Sequence, residues 1–542
     1  MGQAKVKGTK SGSKSITMGS VSSGKPGKWT GYTQWFCSLF LMYMSVIYVM
    51  VCYKGYVQYD VYKRNILLTG GLVFVIGAVM MWFMCLEDDV HPHFDYKLNV
   101  NKIDFLIYCV FLVWGVSFIL CDDKLSGFWG DVYRMTGLAF IGISMLILFL
   151  LSYLSDWKKI NTYVCMCVLF IVFVWQLLNL FGVCPGNWQF NGTYPNLVAC
   201  LANIDQNGMF DGIAIGVLTA AFVFTDIDRQ KREKIVYGVL IVFCMAAGIS
   251  VRSDTFFFGV AAAALIMVGY TIRHREYMFS NAVAMALYYV GIIFMLILGT
   301  VFESSLGLSF MESSGAGFIY QIPSLIALGV LVIVYLILAY YSSKVSEKLL
   351  KILHAAYIAV IILAVVAGAC VVAILYNSHS QNELVLTLVG GFKSRFEIID
   401  ITWDTFVAQD IVTKMFGVGF NNYSRVIYTV RPDTLELMDG NILADSHNVF
   451  FDMLLAHGIV GNMAYFSFLI ACLVEMRKAA SKNPFIMIGI LVIAGYLATG
   501  LINANLIVVT PCVLAAVGVV LKKVREINGD AERAAKAEAQ DR

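Results

Sequence analysis

The sequence predicts an all-α fold: a polytopic integral membrane protein of about fourteen transmembrane helices (12–14), with a long external loop that contains an amphipathic helix. Three observations predict it. Of 542 residues, 59% are hydrophobic and only 14% charged, where soluble domains carry about 25% charge. Apolar runs long enough to cross a bilayer recur along most of the chain, giving a mean hydropathy of +0.76. One polar interval, 377–446, breaks this pattern late in the sequence.

Residues 1–30 form a Gly/Ser/Lys segment with Lys5, Lys7, Lys10, Lys14, Lys25 and Lys28 and no acid, which predicts a disordered, basic cytoplasmic terminus. No cleavable signal pattern is present, so the apolar run at 33–53 reads as an uncleaved first span. A helical bundle is expected over 31–376, with spans at 66–86, 103–121, 135–154, 162–182, 208–225, 235–250, 256–272, 280–301, 321–342 and 353–376. The external loop then occupies 377–446. Spans at 447–474, 485–502 and 505–521 make up a C-terminal membrane unit, 447–521, and 522–542 is a charged cytoplasmic tail.

Lys and Arg set the orientation, because they concentrate on the cytoplasmic side. Arg229, Lys231, Arg232 and Lys234 share one loop, and Arg273 and Arg275 lie two spans later. Lys344, Lys348 and Lys351, then Arg477, Lys478 and Lys482, then Lys522, Lys523 and Arg525 complete the alternation, while 183–207 and 302–320 have neither residue. A plasma (inner) membrane protein with both termini cytoplasmic follows, and Arg252, Arg395 and His447 all fall on the external face.

Composition also excludes functions. A net charge of +3, with no basic stripe between aromatics, gives no support for nucleic-acid binding. The thirteen cysteines sit mostly in apolar runs with no C-x-x-C pair, so they read as small buried hydrophobes rather than zinc ligands. The one metal-like cluster, His91 and His93 with Glu87, Asp88, Asp89 and Asp95, falls in a solvated loop on the cytoplasmic side. No metal and no cofactor is expected.

Chemistry concentrates at the external edge. Arg252 occupies the five-residue turn 251–255 between two spans, where a charge calls for a partner, a water-filled cavity or the lipid phosphates. Within 377–446, the stretch from Gly391 through Ser394, Arg395 and Trp403 to Phe406 has apolar residues at helical spacing, as in a surface amphipathic helix. Phe416-Gly417-Val418-Gly419 is a glycine turn, and Arg425 and Arg431 are read equally well as solvated. His447-Asn448 opens an apolar helix that carries Asp452, His457, Gly458 and Gly461. His457 reads as a packed helix residue, Asp452 as an orienting or structural acid, and the two glycines as points of close helix packing.

The ordered set Gly248-Ile249-Ser250-Val251-Arg252, Ser394-Arg395 with Trp403, Phe416-Gly417-Val418-Gly419 and His447-Asn448 with Gly458 and Gly461 resembles the O-antigen ligase and O-antigen polymerase superfamily. The segment Phe190-Asn191-Gly192-Thr193-Tyr194-Pro195-Asn196 also looks like a loop of that family, and the resemblance spans about residues 190–475. It implies an all-helical, metal-independent membrane glycosyltransferase of cell-envelope polysaccharide biosynthesis. Such an enzyme moves a glycan from an undecaprenyl-diphosphate-type donor to an acceptor hydroxyl at the external face. The implied partners are a lipid-linked glycan donor, a glycan or lipid acceptor and membrane lipid.

It also implies that Arg252, Arg395 and His447 are functional, with Asn448, Gly417, Gly419 and Asp452 supporting them. Physical chemistry agrees with these roles. Guanidiniums grip phosphate oxygens in a planar fork and stabilise a diphosphate as it leaves. The helix after His447 offers a positive end and free N–H groups, which together with the arginines keep the imidazole neutral, as a general base requires. Two alternatives stay open. A polymerase of lipid-linked repeat units shares the same motifs and differs in its acceptor. A transporter or flippase of lipid-linked glycans would carry polar groups near the bilayer midplane and internal repeats.

Overall fold

The computed structural model describes residues 27–52, 59–85, 101–131, 134–183, 199–306, 314–378, 383–437, 442–504 and 506–540. Among them the chain is helical, and the single β feature is an isolated bridge between Asp131 and Arg134. The Glu87–Asp95 cluster, the Phe190–Asn196 segment and nearly all of the basic N-terminus lie outside the described residues.

In chain order, α1 (Lys28–Tyr43) continues into a π-turn at Met44–Tyr48, and α2 (Tyr59–Met84) and α3 (Lys102–Leu120) follow. A short α4 (Lys124–Trp129) precedes α5 (Leu138–Leu154) and α6 (Lys159–Leu180). Next come α7 (Ile204–Phe224), α8 (Lys231–Ser250), α9 (Thr255–Arg273) and α10 (Met278–Leu306). A short α11 (Ser314–Ile319) leads to α12 (Ile322–Tyr340) and α13 (Glu347–Ser378). The interval expected as a loop holds α14 (Glu383–Ala408), α15 (Ile411–Phe416), α16 (Tyr423–Val430) and α17 (Thr434–Leu437). The chain closes with α18 (Val449–Ala480), α19 (Met487–Thr499) and α20 (Val509–Gln540).

A helix covers each of the fourteen apolar runs, but among the described residues nine are long and apolar enough to cross a membrane. The helices α5, of 17 residues, and α19, of 13, are shorter than a typical bilayer span. The helix α20 runs unbroken past residue 522 to Gln540, through an Ala/Glu/Lys-rich stretch of strong helix formers. The polar interval is likewise more helical than its composition suggests. Ile398, Ile401 and Phe406 of α14 bury themselves with Tyr423, Ile427 and Leu455 in a small core separate from the main bundle.

The bundle is held by close backbone approaches and by caps. A Cβ on Gly259 of α9 would come within 2.4 Å of the Gly212 Cα of α7, and one on Gly518 of α20 within 2.6 Å of the Leu148 carbonyl of α5. Small residues allow such contact, and lipid tails cannot compete with it. Helix starts near the site are capped by side chains: Asn203 accepts from the N–H groups of Asp205 and Gln206, and Asn448 from those of Phe450 and Phe451. These caps fix the ends of α7 and α18, from which the charged site is built.

Candidate active site

Charged and titratable side chains gather where the α5, α7, α9 and α18 N-termini meet α14. His447 stands just ahead of the α18 cap with a left-handed backbone (φ 50°). Its Nδ1 lies 3.4 Å from Oδ1 of Asp445, ion-pair distance, and its backbone N–H donates to that oxygen at 2.9 Å. The other Asp445 oxygen accepts from Nε of Arg134, which precedes α5. The Asp445 side chain is only 6% exposed and that of Arg134 is 23% exposed, so the carboxylate end of the pair is buried.

Facing it, Asp205 in the first turn of α7 takes two donors. The Ser253 hydroxyl gives one at 2.7 Å, and Nη2 of Arg395 on α14 gives another at 3.2 Å. Arg252 immediately precedes Ser253 in the α8–α9 turn; it is buried and also left-handed (φ 64°). Arg252 therefore joins the cluster through its neighbour in sequence, and Arg395 through an ion pair. A non-glycine residue in this backbone region carries strain, which concentrates at functional sites. Arg252 and His447 are two of five such residues among those described.

The electrostatics follow from this placement. Burial is the largest influence on Asp445 and pushes its carboxyl up, but Arg134 and His447 outweigh it and hold the group well below the usual carboxylate range. For His447 burial is again largest and lowers the imidazole pKa below its ordinary value. Asp445 and Asp205 pull it back up, while Arg395 and Arg134 push it further down. The net shift is downward, so the ring is neutral near neutral pH. Burial leads this effect, where the sequence pointed to the helix end and the arginines.

The free N–H groups expected at the start of α18 are a second point of difference. Val449 N–H donates to the Gly500 carbonyl at 2.8 Å, and Asn448 Oδ1 takes those of Phe450 and Phe451. The Asn448 amide also donates to the Leu501 carbonyl at 2.8 Å, tying α18 to the end of α19. Asn448 thus serves as a cap, and the backbone donors it fills are closed to a phosphate. Asp452 turns back one helical turn to accept from both the N–H and the hydroxyl of Ser446, each at 2.7 Å, and so fixes the residue beside His447.

The glycines shape the backbone. Inside α18, Gly458 is non-helical (φ 66°), and the break frees the carbonyls of Leu455 and Ala456. Val418 and Gly419 N–H groups donate to them at 3.0 and 2.9 Å. A Cβ on Gly417 (φ 80°) would meet the Ala456 carbonyl oxygen at 2.2 Å, and one on Gly458 would meet the Met415 carbonyl carbon at 2.3 Å. Gly417 and Gly419 thereby dock the turn after α15 onto the kink. His457, fully buried, meets the Ser117 hydroxyl at 3.2 Å and packs on Trp114 and Phe420. Behind the His447 loop lies a cavity of about 60 Å3 with a mixed wall, in which Arg134, Asn421, Asp445, Asp452 and His457 stand among apolar residues, and it is roomy enough for water. Arg431 pairs at the surface with Asp404 and Asp433, at 2.8 and 3.0 Å.

The sequence reading missed Arg134, Asp205 and Asp445. Asp445 carried a signal, two residues ahead of the histidine. Asp205 sits in an apolar helix's first turn and Arg134 in an ordinary short loop, so nothing local marks either as a partner. Among the described residues no group of three or more His, Cys, Asp or Glu side chains gathers as a metal would require.

Fold and site together define a multi-pass, all-helical membrane protein with a buried cluster of arginines, carboxylates and one histidine at an end of its bundle. Residues 323–466 match the model of the family described as O-antigen ligase. This segment is therefore similar to that family, in agreement with the motif resemblance. The match contains Arg395, Gly417, Gly419, His447, Asn448 and Asp452, whereas Arg134, Asp205 and Arg252 lie ahead of it. No curated protein matches the chain.

Proposed function

We propose that the protein is a membrane glycosyltransferase of the O-antigen ligase kind. It transfers a glycan from an undecaprenyl-diphosphate-type donor to an acceptor hydroxyl at the external face of the membrane. The observation that carries this reading is a neutral, backbone-strained His447 beside the Arg134–Asp445 pair and within electrostatic reach of Arg395.

In this mechanism the donor diphosphate lies between Arg252 and Arg395, whose charges offset the negative charge that grows on the departing oxygen. Asp205 holds Arg395 and the Arg252 turn in fixed relation before the donor arrives. The acceptor oxygen attacks the anomeric carbon, and that carbon's bond to the phosphate oxygen breaks with its electron pair going to the diphosphate. His447 takes the acceptor proton on Nε2, with Nδ1 facing Asp445. That carboxylate stabilises the imidazolium, as an orienting acid does in other His-centred sites. The products are the new glycoside and the lipid diphosphate, and no step passes through a metal.

The test is a transfer assay on the purified chain with a lipid-linked glycan donor. Product that requires a separate acceptor supports the ligase reading. Elongation of the donor's own glycan without another acceptor makes the protein a polymerase. Movement of the donor between leaflets without transfer contradicts both.

A further inference from the structure

A large apolar cavity lies remote from His447. It measures about 280 Å3 and lies among α1, α6, α7, α19 and α20, with Leu41, Met44, Phe210, Val217, Val513 and Ala516 in its wall. Water does not fill a wall this apolar. The natural occupant inside a bilayer is a hydrocarbon chain.

One end of the cavity is polar. Trp157, Val519 and Val520 line it and also line a smaller pocket of about 40 Å3 with Asp156, Asn483, Lys522, Lys523 and Glu526. Glu526 serves both lysines, at 3.7 and 2.9 Å, and Asp156 is held by Lys158 at 3.3 Å. One positive charge is therefore left in excess where the hydrocarbon cavity reaches the membrane boundary. This boundary is the one opposite His447. The helix α5 runs from near Arg134 to the segment holding Trp157, and Lys522 lies thirteen residues into α20, about 20 Å from its start. The large cavity shares no lining residue with the small one behind His447.

We propose that this cavity is a binding site for an anionic phospholipid, with one acyl chain among α1, α7 and α20 and the phosphate at Lys522 and Lys523. The site is independent of the transfer reaction and takes its lipid from the leaflet opposite the catalytic end, expected to be the cytoplasmic one.

The experiment reads quenching of Trp157 fluorescence in the full chain, reconstituted in phosphatidylcholine vesicles. Brominated acyl chains are introduced on either phosphatidylglycerol or phosphatidylcholine. Brominated phosphatidylglycerol is expected to quench more strongly, and the excess is expected to vanish in Trp157→Phe. Lys522→Gln and Lys523→Gln should each weaken the preference about fivefold. Ala516→Phe, which fills the cavity while leaving both lysines, should remove the quenching at this site. Equal quenching by the two lipids, or an excess that survives Trp157→Phe, overturns the proposal. So does displacement of the brominated lipid by added polyprenyl phosphate, which would assign the cavity to an isoprenoid chain instead.

Discussion

Arg134 and Asp445, 311 residues apart in sequence, form an ion pair whose carboxylate is buried, and the free face of that carboxylate is turned to the ring of His447. A buried ion pair contributes little net stability, but removing one partner leaves an uncompensated charge, at a cost of about 3–5 kcal/mol. Its value here lies in position: Arg134 keeps Asp445 ionised, and Asp445 is the nearest group that raises the His447 pKa.

That arrangement sets opposite pH shifts. Asp445 raises the His447 pKa and Arg395 lowers it. The acid limb of the transfer-rate profile, where His447 becomes protonated, should lie below the ordinary histidine value of 6.5. Asp445→Asn should move that limb to lower pH, and Arg395→Gln should move it to higher pH. The profiles of residual activity at matched abundance check this, and shifts of the same sign in both variants contradict it.

Arg252 separates charge from shape. Arg252→Lys keeps the charge and loses the planar fork, whereas Arg252→Gln loses the charge. Both should impair transfer, by roughly ten- to a hundredfold if one charge-assisted contact is lost, with glutamine the worse. A side chain that merely reaches lipid phosphate would tolerate lysine fully, so a fully active Arg252→Lys protein removes it from the donor site.

Gly417→Ala and Gly458→Ala test the docking of the turn after α15 onto the α18 kink. Each adds a Cβ where backbone atoms stand 2.2–2.3 Å away, on a left-handed residue. The backbone term alone costs about 1–3 kcal/mol, and the contact adds to it. Both variants should show lower thermal stability and abundance. Wild-type melting behaviour would mean that the kink is not held in this way.

Much of the fold was legible in the sequence, because apolar length marks membrane helices without help from tertiary structure. The split of 235–272 into two helices is an instance: α8 ends at Ser250 and α9 starts at Thr255. The interval 377–446 was less legible, since Ile398 and Phe406 find their partners in α16 and α18, distant in sequence. At the site, His447 and the two arginines carried a signal in residue type and spacing. Their partners did not: Asp205 is matched to Arg395 across 190 positions, and only packing of α7 against its neighbours brings them together. Asn448 was visible as a motif, but its role as a cap depends on the Leu501 carbonyl behind it.

Orientation is tested by single-cysteine labelling with an impermeant reagent, in a background without other reactive cysteines. A cysteine at Gln409, between α14 and α15, should be labelled from outside, and cysteines at Gln230 and Ser481 should not. Outside labelling of Gln230 would invert the arrangement and place His447 on the cytoplasmic side.

The central claim is that His447 takes the acceptor proton. The most direct measurement is the transfer rate of His447→Ala beside wild type, at equal membrane abundance and with the same lipid-linked donor. A general base contributes about a hundred- to ten-thousandfold, and the alanine variant should lose activity by that factor while still retaining the donor. Transfer by His447→Ala at the wild-type rate would contradict the account.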